Sequence, residues 1–157
     1  MLQYIKKDLL SVNRGVVAHG CNYVGVMGAG VAALVRDKYP KAYYEYLRLI
    51  ANVKQTGAAE SSLLGKVQIV EVGNELFVAN LFTQGLQSFD GQLATPDAIQ
   101  SSLREALVFA NDNNLPLYLP KIGAGLGGLD WERDVEPIID ELATAFADVD
   151  TYVCVYP

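Results

Sequence analysis

Arg14-Gly15-Val16-Val17-Ala18-His19-Gly20-Cys21-Asn22-Tyr23-Val24-Gly25-Val26-Met27-Gly28-Ala29-Gly30-Val31-Ala32 is the stretch on which the fold turns. Arg14 to His19 is an apolar run rich in β-branched residues, the pattern of a strand buried on both faces. From Val31 the period changes, and Val31, Leu34, Val35 and Tyr39 recur at helical spacing until Pro40 interrupts. Tyr43, Tyr46, Leu47 and Ile50 suggest that the helix then continues. A buried strand leading through a glycine-rich turn into a helix is the repeating unit of α/β folds.

The segments on either side repeat that logic. Leu2–Lys6 reads as an opening strand, and Lys66–Val72 and Leu76–Phe82 as a hairpin turning at Gly73-Asn74. Thr95-Pro96-Asp97 signals a helix start, with a hydroxyl at the cap, proline first and an acid in the first turn. Ile99, Leu103, Ala106, Leu107 and Ala110 give that helix one apolar stripe. Leu115–Pro120 is a further short strand, followed by a second glycine-rich loop. Val135, Ile138, Ile139, Leu142 and Phe146 mark a last helix, and Thr151–Tyr156 a last strand. The expected architecture is an α/β fold, a three-layer α/β/α sandwich with a mixed central sheet, as one domain over residues 1–157.

Composition narrows the partners. The chain of 157 residues is 51% hydrophobic and 19% charged, which excludes disorder as a description of the whole. A net charge of −6 is a poor footprint for long nucleic acid in a groove. A small anion held by main-chain amides needs no basic field and stays open. Cys21 and Cys154 are far apart and His19 is the only histidine, so a zinc site is not expected and nothing calls for a metal or cofactor. The opening residues are charged too soon for a signal peptide, and no apolar run reaches membrane-spanning length. The expectation is a cytoplasmic monomer without a membrane partner.

Ligands of open α/β sheets collect beyond the carboxyl ends of strands. Gly28, Ala29 and Gly30 let a ligand approach the main chain there, while first-turn N–H groups offer an anion seat. A plain tight turn explains three glycines equally well. The second loop, Ile122-Gly123-Ala124-Gly125-Leu126-Gly127-Gly128, shifts the balance, because glycine costs roughly 0.5–1 kcal/mol of ordering against alanine. Two facing amide-rich loops suit a diphosphate. The G-x-G-x-x-A match at Gly28, Gly30 and Ala33 raises a dinucleotide site, but the glycines do not directly follow the strand and no acid-ended strand comes after.

Four blocks in order, Lys7-Asp8-Leu9, His19-Gly20-Cys21-Asn22 with Gly25 to Ala32, Asn80-Leu81-Phe82-Thr83-Gln84, and Leu119 to Trp131, resemble the macrodomain family over nearly the whole chain. The similarity is to its branch of ADP-ribose 1″-phosphate phosphatases. The resemblance implies a cleft for ADP-ribose or ADP-ribose 1″-phosphate, with Asp8 and Leu9 at the adenine and Lys7 as a further binding residue. It implies that Gly28 to Ala32 on one side and Ile122 to Leu126 on the other wrap the diphosphate and distal ribose, with Gly20, Cys21, Met27, Gly127 and Gly128 as further substrate-binding residues. Asn22 would face the ribose hydroxyls near the scissile group.

His19, Asn22 and Asp130 are the catalytic candidates. His19 is the only imidazole and lies at a strand end beside the anion seat, although a lone histidine on a buried strand is more often structural. Asp130 opens the last helix and suits an N-cap, a role compatible with orienting water. Cys21 lacks the C-x5-R loop of a phosphatase nucleophile and reads as packing. A sister branch of the family uses a lysine at the end of the fourth strand and an aspartate in the glycine loop. Gln84 and Gly127 stand at those positions, so a lysine-adduct mechanism does not carry over. The expected reaction is hydrolysis of ADP-ribose 1″-phosphate. A non-catalytic ADP-ribose reader and a hydrolase of ADP-ribosyl adducts are the alternatives.

Overall fold

The computed structural model describes residues 2–85, 94–124 and 127–157. Six strands, β1 (Leu2–Lys6), β2 (Gly15–Asn22), β3 (Val67–Gly73), β4 (Leu76–Gln84), β5 (Leu117–Leu119) and β6 (Thr151–Val155), form one mixed sheet in the order β1-β6-β5-β2-β4-β3. All neighbours pair in parallel except β3, which runs antiparallel to β4 at the edge. The helices are α1 (Gly30–Lys38), α2 (Pro40–Gln55), α3 (Pro96–Asp112) and α4 (Glu136–Ala145).

Side-chain alternation along the central strands assigns the layers. Val16 and Ala18 of β2, with Ala79 and Leu81 of β4, join the core formed with Ile99, Leu103 and Ile139 of α3 and α4. Cys21 and Phe82 face the other way, into a cluster with Tyr46 and Ile50 of α2. His19 and Asn80 are register partners across β2 and β4. Asn80 Nδ2 donates to Ala42 O of α2, so this pair also faces the α2 layer. The three-layer expectation is met.

Three local expectations need correction. The hairpin turns at Asn74 and Glu75, one position later than Gly73-Asn74, because Gly73 still pairs with Leu76 and Glu75 takes the positive φ of 51°. Pro40 starts a new helix. The residue before it, Tyr39, leaves the helical region at φ −125°, ψ 74°, as proline requires. Leu34 is 54% exposed although it fits the apolar period, because Val35 takes the buried position on α1. The stripe of α3 is buried at all five expected positions.

Gly15 opens β2 at φ +128°, and a Cβ there would lie 2.8 Å from Pro116 O. Gly15→Ala therefore forces an L side chain into a left-handed conformation against backbone. Its expected cost is roughly 1–3 kcal/mol, read as a lower urea midpoint with an unchanged slope.

Candidate functional site

Parallel pairing brings the carboxyl ends of β2, β4 and β5 to the same side of the sheet. A cavity of about 680 Å³ opens there, within the range of small-molecule sites. Gly20, Cys21 and Asn22, the end of β2, line it. Gly28, Ala29, Gly30, Val31 and Ala32 contribute the loop and first turn of α1, and Ile122, Gly123, Ala124 and Gly127 the second loop.

Small residues shape both loops for different reasons. Gly30 has φ +60° and open space where a Cβ would stand. Gly123 has φ +79°, and its Cβ would come within 3.0 Å of Ile99 Cδ1 and Leu129 Cδ1, so this loop rests directly on the core. Gly20 lies against Thr83, whose Oγ1 would be 2.7 Å from a Cβ. At the N-terminus of α1 the cap residue is Ala29, which makes no side-chain capping bond. The first-turn N–H groups thus retain donor capacity, with the positive end of the helix dipole behind them.

The first loop is fastened from within. Asn22 Oδ1 accepts from Val24 N at 3.1 Å, Val26 N at 3.4 Å and the Tyr46 hydroxyl at 2.7 Å. Asn22 Nδ2 donates to Val26 O at 2.8 Å. The same tyrosine hydroxyl lies 2.9 Å from Asn22 O and accepts from Gly25 N at 3.1 Å. Arg36 donates to Met27 O at 3.0 Å, so the N–H of Gly28 in that trans peptide points the opposite way. Burial pushes the Tyr46 hydroxyl above its ordinary pKa. Cys21 Sγ donates to Leu81 O at 3.4 Å, and burial likewise pushes its thiol up, which disfavours a thiolate nucleophile.

Several expected site residues stand elsewhere. His19 is fully buried, is not part of the cavity wall, and bonds through Nε2 to Asn80 Oδ1 at 2.6 Å. Desolvation lowers its pKa to about 4, so at neutral pH it is an uncharged group inside the fold. The catalytic expectation for His19 is corrected on those grounds. Asp130 is the N-cap of the π-helical turn Trp131–Val135, accepting from Arg133 N at 2.8 Å, and it too lies outside the cavity wall. Met27 is 1% exposed and packs with Tyr46 and Phe82, so it is core. Gly128 is exposed but does not line the cavity. Gly125 and Leu126 lie outside the described residues.

Lys7, Asp8 and Leu9 do not line the cavity either. Asp8 Oδ1 accepts from Leu10 N at 3.0 Å and caps the turn Leu9–Ser11. Leu9 belongs to a cluster against which Val31 of the cavity wall packs, so this turn abuts the site. Phe82 is core, stacked 5.9 Å from Tyr46, and Tyr156 is 76% exposed.

Val26, Gln84, Pro120 and Lys121 also line the cavity; none of them was among the expected binding residues, although Gln84 had been noted where the sister branch carries its lysine. Gln84 is the register partner of Asn22 across β2 and β4. Its Oε1 would be 3.6 Å from a Cβ on Gly127, which brings it against the second loop. For Gln84 the family resemblance had already marked the position, where the sister branch carries its lysine, and strand pairing with Asn22 puts it in the wall. Among the described residues, no group of three or more His, Cys, Asp and Glu is clustered to hold a metal ion, and no helix is long and apolar enough to cross a membrane.

Comparison with known proteins agrees with this architecture. An ADP-ribose 1″-phosphate phosphatase of Candida albicans is 32% identical over 153 residues, covering 90% of this chain and 93% of that protein. A DNA ADP-ribosyl glycohydrolase of Mycobacterium tuberculosis is 29% identical over 160 residues, covering 100% of this chain and 42% of that larger protein. The solved macrodomain of Mycobacterium tuberculosis DarG superposes with a TM-score of 0.79 at 27% identity, over 100% of this chain and 97% of that one. The Macro domain model matches residues 18–138, from inside β2 through both loops into α4, and with that match the chain belongs to the Macro domain family.

Proposed function

We propose that this chain binds ADP-ribose across the carboxyl ends of its strands and hydrolyses ADP-ribose 1″-phosphate to ADP-ribose and inorganic phosphate. The observation that carries this reading is the cavity between two glycine-rich loops, with the uncapped start of α1 in its wall. That arrangement offers main-chain donors to a diphosphate. The 32% identity to a phosphatase of the same length class supports the choice of ester. The turn at Asp8 and Leu9, adjoining Val31, is the proposed adenine end.

In the reaction the oxygen of water adds to phosphorus and the bond from phosphorus to the ribose 1″ oxygen breaks. That oxygen takes up the proton which water gives up, so no oxidant or reductant is needed. No Asp, Glu or His is among the described residues lining the cavity. Rate acceleration therefore rests on positioning and on amide donors aimed at the charge of the transition state. Asn22, with its carboxamide engaged by its own loop, holds that loop in shape. Its neighbour Gln84, which makes no side-chain hydrogen bond among the described residues, is the proposed group for orienting water.

Purified protein incubated with ADP-ribose 1″-phosphate is expected to release inorganic phosphate catalytically, and calorimetry with ADP-ribose to show saturable binding. A wall with no Asp, Glu or His among its described residues equally suits a module that binds ADP-ribose without turnover. Saturable heat with a flat phosphate assay selects that second reading, and absence of binding rejects both.

A further inference from the structure

Lys121 follows β5 at the edge of the second loop, is exposed, and lines the cavity. It is the only Lys, Arg, Asp or Glu among the cavity's described lining residues. It makes no ion pair and no side-chain hydrogen bond with another described residue, in a chain whose net charge is −6. β5 pairs with β2 through Val17↔Tyr118, and that register, continued, brings Lys121 level with Gly20. Gly20 is followed on the same strand by Asn22, whose partner is Gln84. The cation is therefore carried beside the β2–β4 end of the cavity, away from Asp8 after the edge strand β1.

A phosphate monoester carries close to two negative charges at neutral pH. ADP-ribose 1″-phosphate therefore differs from ADP-ribose chiefly in charge at its distal end. Main-chain amides of the loops and of α1 serve the diphosphate that both ligands share. A single ammonium on a flexible stem, the one charged side chain among the described wall residues, gains most from the added charge.

We infer that Lys121 is the specificity-determining residue of the cavity, selecting the 1″-phosphorylated ligand over ADP-ribose by contact with the extra phosphoryl group; this rests on the ADP-ribose reading above. Lys121 is exposed, and its substitution leaves the core untouched. In Lys121→Met, the KM for ADP-ribose 1″-phosphate is expected to rise about tenfold or more, the size of one lost charge-assisted hydrogen bond. The dissociation constant for ADP-ribose, by calorimetry, stays within about threefold, and Lys121→Arg keeps most of the preference. Should wild-type protein bind the ester without turning it over, calorimetry with both ligands replaces the kinetic arm.

Equal losses for both ligands in Lys121→Met would assign the ammonium to the shared diphosphate and overturn the inference. Unchanged values for both ligands also overturn it. Failure of the wild-type protein to bind ADP-ribose at all removes the underlying reading instead, and is seen before any variant is made.

Discussion

Asn22→Ala is expected to weaken ADP-ribose binding by about tenfold or more and to destabilise the protein by roughly 2–4 kcal/mol. Asn22 is 7% exposed, and its carboxamide accepts from Val24 N, Val26 N and Tyr46 Oη while donating to Val26 O. Alanine removes the acceptor and leaves those donors to find water in a half-buried turn. Affinity falls because the loop carrying Gly28 to Ala32 must then be ordered when ligand binds. Tyr46→Phe removes the hydroxyl that joins α2 to the same turn and is expected to cost about 1–2 kcal/mol with a smaller loss of affinity. Since both act through one network, the double variant should lose less than the sum. Urea denaturation and calorimetry on the three variants check this, and strict additivity would show that the two side chains act separately.

A second large effect concerns acid stability and comes from His19. Asn80 Nδ2 donates to Ala42 O at 3.3 Å and to Gln68 Oε1 at 3.1 Å, which leaves Asn80 Oδ1 to accept from His19 Nε2. The imidazole is thus neutral with its proton on Nε2, and its buried Nδ1 has no hydrogen-bond partner. No facing anion compensates a second proton, so burial lowers the pKa from 6.5 to about 4. Above pH 6.5 neither folded nor unfolded chains carry that proton. As pH falls from 6.5 towards 4 the unfolded chain takes it up and the native chain does not, so stability falls with pH. The loss over that window is about 3 kcal/mol. In His19→Gln it should be absent. Comparing urea midpoints at pH 7 and pH 4.5, wild type should lose about 2–3 kcal/mol more than the variant. Parallel losses would mean that His19 is not desolvated as described.

How much of this was legible in sequence depends on the range of the interaction concerned. β2 and the stripe of α3 were readable because hydrophobic period reports local burial directly. Asp130 as a cap was readable because capping is decided within three residues, here Asp130 to Arg133. The role of His19 was not. Alternation puts His19 and Cys21 on one face of β2, yet only Cys21, two residues nearer the strand end, reaches the cavity, while His19 is fully buried against Asn80. Depth along a strand is set by the neighbouring layers, and period carries no information about it. Lys121 was missed for a related reason: it reaches the site because β5, which it follows, pairs with β2, whereas Gln84 was marked only by the family resemblance and not by any local pattern. Leu34 failed in the opposite sense, fitting the helical period while a short helix buried Val35 in its place.

The central claim is that main-chain nitrogens of the two loops capture the diphosphate. Amide resonances of the 15N-labelled protein titrated with ADP-ribose test it most directly. The expected result is saturable shifts largest for Gly30, Val31, Ala32, Gly123 and Ala124, with the amides of β3 and α4 unmoved. Shifts confined to other regions, or none at millimolar ligand, would contradict it.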